Sequence, residues 1–503
     1  MSSRAASRLS SPLVPGVVAL ALGALAGCMA VGPDYQAPEM ATPSGWRETE
    51  DPRLVEKASA DPNAAPSAST ESPLLDAWWS RLHDPTLDDL VVQASHQGLD
   101  LKEALARIRE ARALRGVAGA DRFPTLDGAA SYRRSGESDN TPLGGFVPDN
   151  GVFSVGFDAA WEIDLWGRVR RGVEAADADL AAQYEDARDV ALSVTAEVAL
   201  RYVEMRSFQR RLAIARQNVD LQEQTLTVVR GRFESGMVGA RDVAQASTVV
   251  ESTRATVPAL ETGVRITENR LAVLIGRPPG ALAEELKEVR PVPVAPLEIA
   301  VGLPADLLRR RPDVRRAERV LAAETARIGV AKGDLCPRLS LSGSLGLASE
   351  DIADLLHRRS MFFGFGPDLR WNLFDAGRLR ELVEAQDART EQARLRWERT
   401  VLNALEECEA AMTAFVREQV RRASLLEAAT QARRAVELAQ TQYANGLSDF
   451  QIVLDSEREV ASLEDDLATS DAAVTTHVIR LYKALGGGWP PIEIAPAEPT
   501  AKQ

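Results

Sequence analysis

The chain repeats itself, and that limits its fold more than any bulk property. Trp161 matches Trp371, Gly167-Arg168 matches Gly377-Arg378, Phe233 matches Tyr443, Gly236 matches Gly446 and Gly276 matches Gly486, every pair 210 residues apart. Upstream, Gly116-Val117-Ala118 matches Gly329-Val330-Ala331 and Pro124 matches Pro337, at an offset of 213. Whatever one copy builds, the other builds again. Each copy shows one order of signals. A helical stretch (Pro85 to Ala120; Ala305 to Gly333) ends at a proline, and two strand-like segments follow. Then come a very long helical stretch, a glycine-marked turn and a returning helix. The copies occupy residues 81–280 and 305–489, joined by a connector at 281–304 that holds Pro291, Pro293, Pro296 and Pro304. Residues 28–80 precede them and a tail at 490–503 follows.

The long stretches exclude a compact domain. No proline lies between Arg168 and Val257, and none between Asp368 and Trp489. Helices over Arg168–Glu234 and Arg378–Ala444 would each run roughly 100 Å at 1.5 Å per residue. Leu212, Ala215, Val219, Gln222, Leu226, Val229 and Phe233 recur at alternating steps of three and four. Leu425, Ala429, Ala432, Val436, Ala439 and Tyr443 keep the same register in the second copy. That period calls for left-handed, coiled-coil-like packing. Aromatics at only 5% suit closely packed, alanine-rich helices.

The strand segments alternate strictly. Phe153, Val155, Phe157, Ala159, Trp161 and Ile163 alternate with small or polar residues, as do Leu339, Leu341, Leu345 and Leu347. Phe363, Phe365, Leu369, Trp371 and Leu373 do the same, and Leu126 to Tyr132 is a weaker case. One apolar and one polar face per strand fits a membrane barrel, with the apolar face toward lipid. It also fits a soluble sheet with one wet face. Four strands cannot close a barrel, and hydrocarbon tolerates no open edge. Two chains would give eight strands and a filled interior, whereas three would give twelve and a lumen.

Residues 1–27 read as a secretory signal: Arg4 and Arg8 precede a short apolar run that ends Leu25-Ala26-Gly27-Cys28. This resembles a lipobox, which predicts acylation of Cys28 and a lasting lipid anchor; a covalent lipid there is the only added group expected. Removing the signal takes the formal charge from -14 to -16, a poor balance for nucleic acid. Residues 36–73, rich in Pro, Ala, Ser and Thr, read as a tether or a surface strap. Cys336 and Cys408 form no metal-ligand spacing and are expected to be buried structural thiols.

Glycine and arginine mark the changes of architecture. Gly167 and Gly377 stand between strand and helix, where a bend needs backbone freedom. Arg168, Arg378 and the neighbouring Arg170, Arg171 and Arg380 either meet lipid headgroups or are solvated helix-start charges. Gly236 and Gly446 end the long helices.

These motifs together resemble the TolC-type outer-membrane factors, in their lipoprotein, NodT-like branch. Cys28 followed by Val31-Gly32-Pro33-Asp34-Tyr35 is similar to that branch's mature N-terminus. Leu303-Pro304-Ala305-Asp306-Leu307-Leu308-Arg309-Arg310-Arg311-Pro312-Asp313 is similar to its most recognisable segment. Trp161 to Arg168 and Trp371 to Arg378 are similar to its strand-to-helix junctions. The resemblance implies a mainly α chain with membrane β. Three chains would share a twelve-stranded outer-membrane barrel, four strands each, continued by a periplasmic helical barrel. It implies a homotrimer that meets a periplasmic adaptor at the helix tips Gly236, Met237, Val238, Gly239, Gly446 and Leu447. The adaptor joins a resistance-nodulation-division transporter in the inner membrane. It also implies a periplasmic gate: a carboxylate at Asp455 from each chain around one axis, with Asp242 and Tyr443 holding the closed end. Like charges so placed would raise their own pKa values and attract cations. Ser448 stands where some members carry Arg, so a hydroxyl–carboxylate bond would replace a salt bridge. The alternative is that Asp242 and Asp455 only favour helix N-termini.

Rival functions explain less. The four histidines form no ligand set, and no nucleophile elbow, Walker loop or dinucleotide fingerprint is present, so an enzyme is not expected. A non-channel structural lipoprotein leaves the strands unexplained. A duct for secreted proteins shares the fold, but the lipobox and Leu303–Asp313 favour export of small molecules such as drugs.

Overall fold

A computed structural model describes residues 30–41, 43–47, 68–69, 77–136, 138, 140, 150–294, 299–300 and 310–487. Cys28, the signal, the tail at 490–503 and Leu303–Arg309 of the resemblance segment lie outside these. The described residues fall into two compact units. One draws on Met1–Pro38, Glu110–Ala181 and Glu318–Leu395, the other on Glu39–Arg109, Ala182–Ala317 and Arg396–Gln503.

In chain order the helices are α1 (Pro85–Gln97), α2 (Leu99–Ala120), α3 (Arg168–Glu234), α4 (Ala240–Arg254), α5 (Val257–Leu274), α6 (Pro312–Gly333), α7 (Arg378–Ala444) and α8 (Phe450–Ala484). The strands are β1 (Ala68–Ser69), β2 (Thr125–Ser135), β3 (Asn150–Ile163), β4 (Ile299–Ala300), β5 (Arg338–Ser349) and β6 (Met361–Arg370). Two pairs of helices match in length: α2 and α6 are both 22 residues and α3 and α7 both 67.

Local chemistry sets the boundaries. Each member of the glycine pairs 167/377, 236/446 and 276/486 has positive φ, where a side chain would be strained. Four of them close helices in one way. Gly236 N–H bonds Phe233 O and Met237 N–H bonds Arg232 O; the same pairing recurs at Gly446-Leu447, Gly276-Arg277 and Gly486-Gly487. This Schellman arrangement satisfies carbonyls that a helix end leaves bare. Two expected single helices are broken. The first helical stretch splits at Gly98, where a Cβ would lie 2.5 Å from Ala94 O. The first copy's return splits at Ala255-Thr256 because Pro258, at the start of α5, cannot donate to the ladder. The second copy has no proline there, and α8 runs unbroken for 35 residues.

In the first unit the sheet order is β2-β3-β5-β6, antiparallel throughout. Its ladder stops at Arg338 opposite Arg370, because Pro337 ends the donors of β5. Trp371 and Leu373, expected in the strand, therefore lie beyond it, and Trp371 Nε1–H bonds Leu335 O at 3.1 Å. Cys336 is a half-buried thiol in the turn between α6 and β5, not a core residue.

In the second unit Trp78 is fully buried, stacked on Tyr482 at 5.4 Å, with its indole N–H on Gly487 O at 3.1 Å. Around it lie Leu87, Leu90, Tyr202, Leu271, Ile275, Val401 and Phe415. Trp46 joins this core, with Met40 packed against it. β1 pairs in parallel with β4. Cys408 is buried and free, and burial pushes its thiol up to about 12. A second core joins α3, α4, α7 and α8 near Gly236 and Gly446, through Leu226, Val229, Val250, Tyr443, Phe450 and Val453. The 3.5-residue register locates this packing face at Ala215, Val219, Leu226 and Val229, but Phe233 departs from it and is 45% exposed.

Candidate functional site

Three places combine unusual exposure with specific polar contacts. The first is the sheet. Register aligns Tyr132 with Phe153, Val155 with Leu347, Phe157 with Leu345, Trp161 with Leu341, and Leu345 with Phe363. The apolar residues of all four strands therefore share one face. That face is bare: Phe365 is 84% exposed, with Leu126, Phe157, Phe363 and Leu369 also exposed. The opposite face carries Asp127, Asp158, Ser131, Ser154, Ser342 and Ser344. Soluble surfaces do not present so large an apolar sheet, whereas lipid-facing ones must. Both edges, β2 and β6, have no partner among the described residues. No described helix is long and apolar enough to cross a membrane.

The second place is the pair of strand-to-helix junctions. At Gly167 a Cβ would lie 2.5 Å from that of Ala30, so the N-terminal segment sits against this turn. Arg168 grips Glu162 with two bonds, at 3.0 and 2.7 Å. Arg170 lies 3.4 Å from Asp164. Arg171 is buried, bonds Asp34 at 2.6 Å and Glu174 at 2.8 Å, and donates to Val31 O and Gly32 O. These three guanidiniums are paired with carboxylates of the same chain. At the second junction Asp375 caps the turn instead, accepting from Gly377 N–H and Leu379 N–H. Arg378 and Arg380 are exposed there, and a Cβ at Gly377 would meet nothing within 4 Å.

The third place is the helix tips. Met237 and Leu447, beside the turn glycines, are 67% and 77% exposed, the reverse of a core preference. Val238 packs on the tip core, while Gly239 is the N-cap of α4. Asp242 is in the first turn of α4, where its carboxylate accepts the Gly239 N–H at 3.4 Å. Asp455 differs. It lies beyond the first turn of α8, which holds no acid, so capping does not account for it. It is exposed, accepts from Gln451 Nε2 at 2.9 Å and lies 3.6 Å from Arg458. Tyr443 is buried against Phe450, with ring centroids 5.1 Å apart. Its hydroxyl and that of Ser448 are enclosed without a hydrogen-bond partner among the described residues, so no hydroxyl–carboxylate bond forms within the chain.

Two residues escaped the sequence reading. Arg232 places its guanidinium 4.4 Å over the Tyr443 ring and donates to Tyr443 O at 3.0 Å and Ala444 O at 2.8 Å. It fastens the end of α3 to the end of α7. Glu457 is buried among α3, α7 and α8, accepting at one oxygen from Thr225 Oγ1 and Gln440 Nε2. Burial raises its pKa. A charge falling on the apolar stripe Val453, Leu454, Glu457 was the available signal. No cluster able to hold a metal occurs among the described residues.

Comparison with known proteins agrees with this geometry. The family model described as Outer membrane efflux protein matches residues 90–277 and again 303–487. Nodulation protein T of Rhizobium leguminosarum bv. trifolii is 31% identical over 93% of this chain and 96% of its own length. The pyoverdine export outer membrane protein OpmQ of Pseudomonas aeruginosa is 32% identical over 82% of this chain and 87% of its own. The solved outer-membrane channel OprN aligns with a TM-score of 0.82 at 34% identity, covering 91% of this chain and 99% of that one. The chain thus belongs to the outer membrane efflux protein family and is an outer-membrane efflux channel.

Proposed function

We propose that three copies of this chain form one duct, each giving four strands to a twelve-stranded barrel in the outer membrane. The observation that carries this reading is the sheet. It has one apolar face across all four strands and two unpaired edges, so a single copy cannot sit in hydrocarbon. The two halves of the chain are copies of one unit, so the duct is built from six similar segments. Acyl chains on Cys28 hold it to the membrane, and the fixed seat of Ala30 against Gly167 supports an anchor close to the strand–helix junction. The bare tip residues Met237 and Leu447 suit a periplasmic adaptor, through which the duct serves an inner-membrane transporter that chooses the small-molecule cargo.

The helix tips close the duct at rest. Asp455 from three copies places three carboxylates around the axis, with Arg232, Tyr443 and Ser448 in support behind them. The position of Asp455 outside the capping turn supports this role. Reconstituted protein in a planar bilayer should give small, cation-selective resting steps. Asp455→Ala should raise them and remove block by divalent cations. Steps absent from wild-type protein that is correctly inserted would overturn the duct. Steps unaltered by Asp455→Ala would overturn the gate alone.

A further inference from the structure

The duplication built one cavity twice, both times in the second unit. In the first copy a cavity of about 770 Å³ lies between α3 and α5; in the second, one of about 830 Å³ lies between α7 and α8. Their walls correspond at the 210 offset: Gln209 with Gln419, Glu261 with Asp471 and Val264 with Val474. The connector closes each, through Leu286 and Val289 in the first and through Pro291 and Val294 in the second. A cavity that recurs at one place in both copies belongs to the repeated unit, and volumes of this size suit a small organic molecule.

The two differ at one carboxylate. Glu268 lines the first cavity, is 4% exposed, and interrupts the α5 stripe between Val264 and Leu271. The matching stripe of α8 reads Val474, Val478 and Leu481, and Val478 is fully buried. This packing therefore accepts valine and has no need of a carboxylate at that place. Glu268 Oε2 lies 3.4 Å from the guanidinium of Arg265, whose side chain is 69% exposed. Oε1 is enclosed and has no hydrogen-bond partner among the described residues. Other donors of the lining are engaged: Gln209 Nε2 bonds Leu286 O at 2.8 Å, and Arg216 lies 2.7 Å from Glu261. A buried carboxylate oxygen without a donor is costly to keep, and a ligand N–H would satisfy it.

We propose that the first cavity is a binding site for a small organic amine. Its apolar body lies against Leu212, Val264 and Leu286, and its ammonium bonds Glu268 Oε1. The second cavity, with Val478 in place of Glu268, has no such counter-charge and does not take the amine. This site shares no residue with the sheet or the helix tips, and it does not depend on how many copies assemble.

Phenethylamine is the probe, titrated calorimetrically against the full lipidated chain in lipid nanodiscs, with phenylacetate as its anionic counterpart. The amine should bind saturably and the carboxylate should not. Glu268→Val, which installs the residue of the second copy, should fold and bind the amine about ten- to a hundredfold more weakly, the worth of one hydrogen bond to a charged group. Glu268→Gln keeps the side chain's shape without its charge and should weaken binding about tenfold, which decides the matter if the valine variant does not fold. Asp455→Ala, at the helix tip, should leave amine binding unchanged. No saturable binding to the wild-type chain, or equal binding in the Glu268 variants, would overturn the site. Binding lost in Asp455→Ala but kept in Glu268→Val would place the amine at the tips and overturn it equally.

Discussion

Arg232→Ala should loosen the helix tips without unfolding the chain. The residue makes three contacts across the ends of α3 and α7. The bond to Tyr443 O is half-buried and from a charged donor, worth about 1.5 kcal/mol, and the exposed bond to Ala444 O about 0.5 kcal/mol. The guanidinium over the Tyr443 ring adds about 0.5–1 kcal/mol. Together these amount to about 2.5–3 kcal/mol, so a tip with α3 and α7 parted should become roughly a hundredfold more populated. The loss is local, because the Trp78–Tyr482 core of the same unit does not include Arg232. Hydrogen exchange at residues 443–447 should quicken, and resting openings in a planar bilayer should become more frequent. Arg232→Lys keeps the charge but not the fork, and should fall between. Exchange and opening frequency both unchanged in Arg232→Ala would refute the latch.

Three further outcomes follow from the same contacts. Burial raises the pKa of Glu457 above its unfolded value, so its contribution is full below that value and is lost as pH rises through the folded one. The tip should therefore be less stable in alkaline than in mildly acidic buffer; Glu457→Gln keeps an oxygen for Thr225 and Gln440 and should flatten that dependence in thermal melts. Leu341→Lys, on the apolar face, should cost about 2–4 kcal/mol of membrane insertion, while Ser342→Lys on the other face should cost little, as read by outer-membrane fractionation. Cys28→Ser should leave the chain without acyl groups and weaken its assembly in the membrane, which intact-mass measurement and fractionation would show.

Much of this fold was written as spacing. The glycine pairs 210 residues apart mark positions where only a positive φ closes the helix, so a repeat of glycines is a repeat of backbone geometry. Strand alternation located β2, β3, β5 and β6 because a sheet with one apolar and one polar face must alternate along each strand. What spacing cannot show is the partner of a charge. Arg168 and Arg171 look alike at a helix start, yet one is held by Glu162 and the other by Asp34, 137 residues away. Trp371 alternates as well as Trp161, but a strand lasts only as long as its neighbour can pair, and Pro337 ended that. Arg232 was silent in the sequence because its targets are carbonyls and a ring face, which no motif records.

In the proposed assembly one chain supplies a third of a membrane duct. Native mass spectrometry of protein extracted in mild detergent from outer membranes tests it most directly. A dominant ion of three lipidated chains should survive extraction, and that species should conduct when reconstituted. A conducting species of one chain would contradict it, because four strands with two open edges would then be crossing hydrocarbon alone.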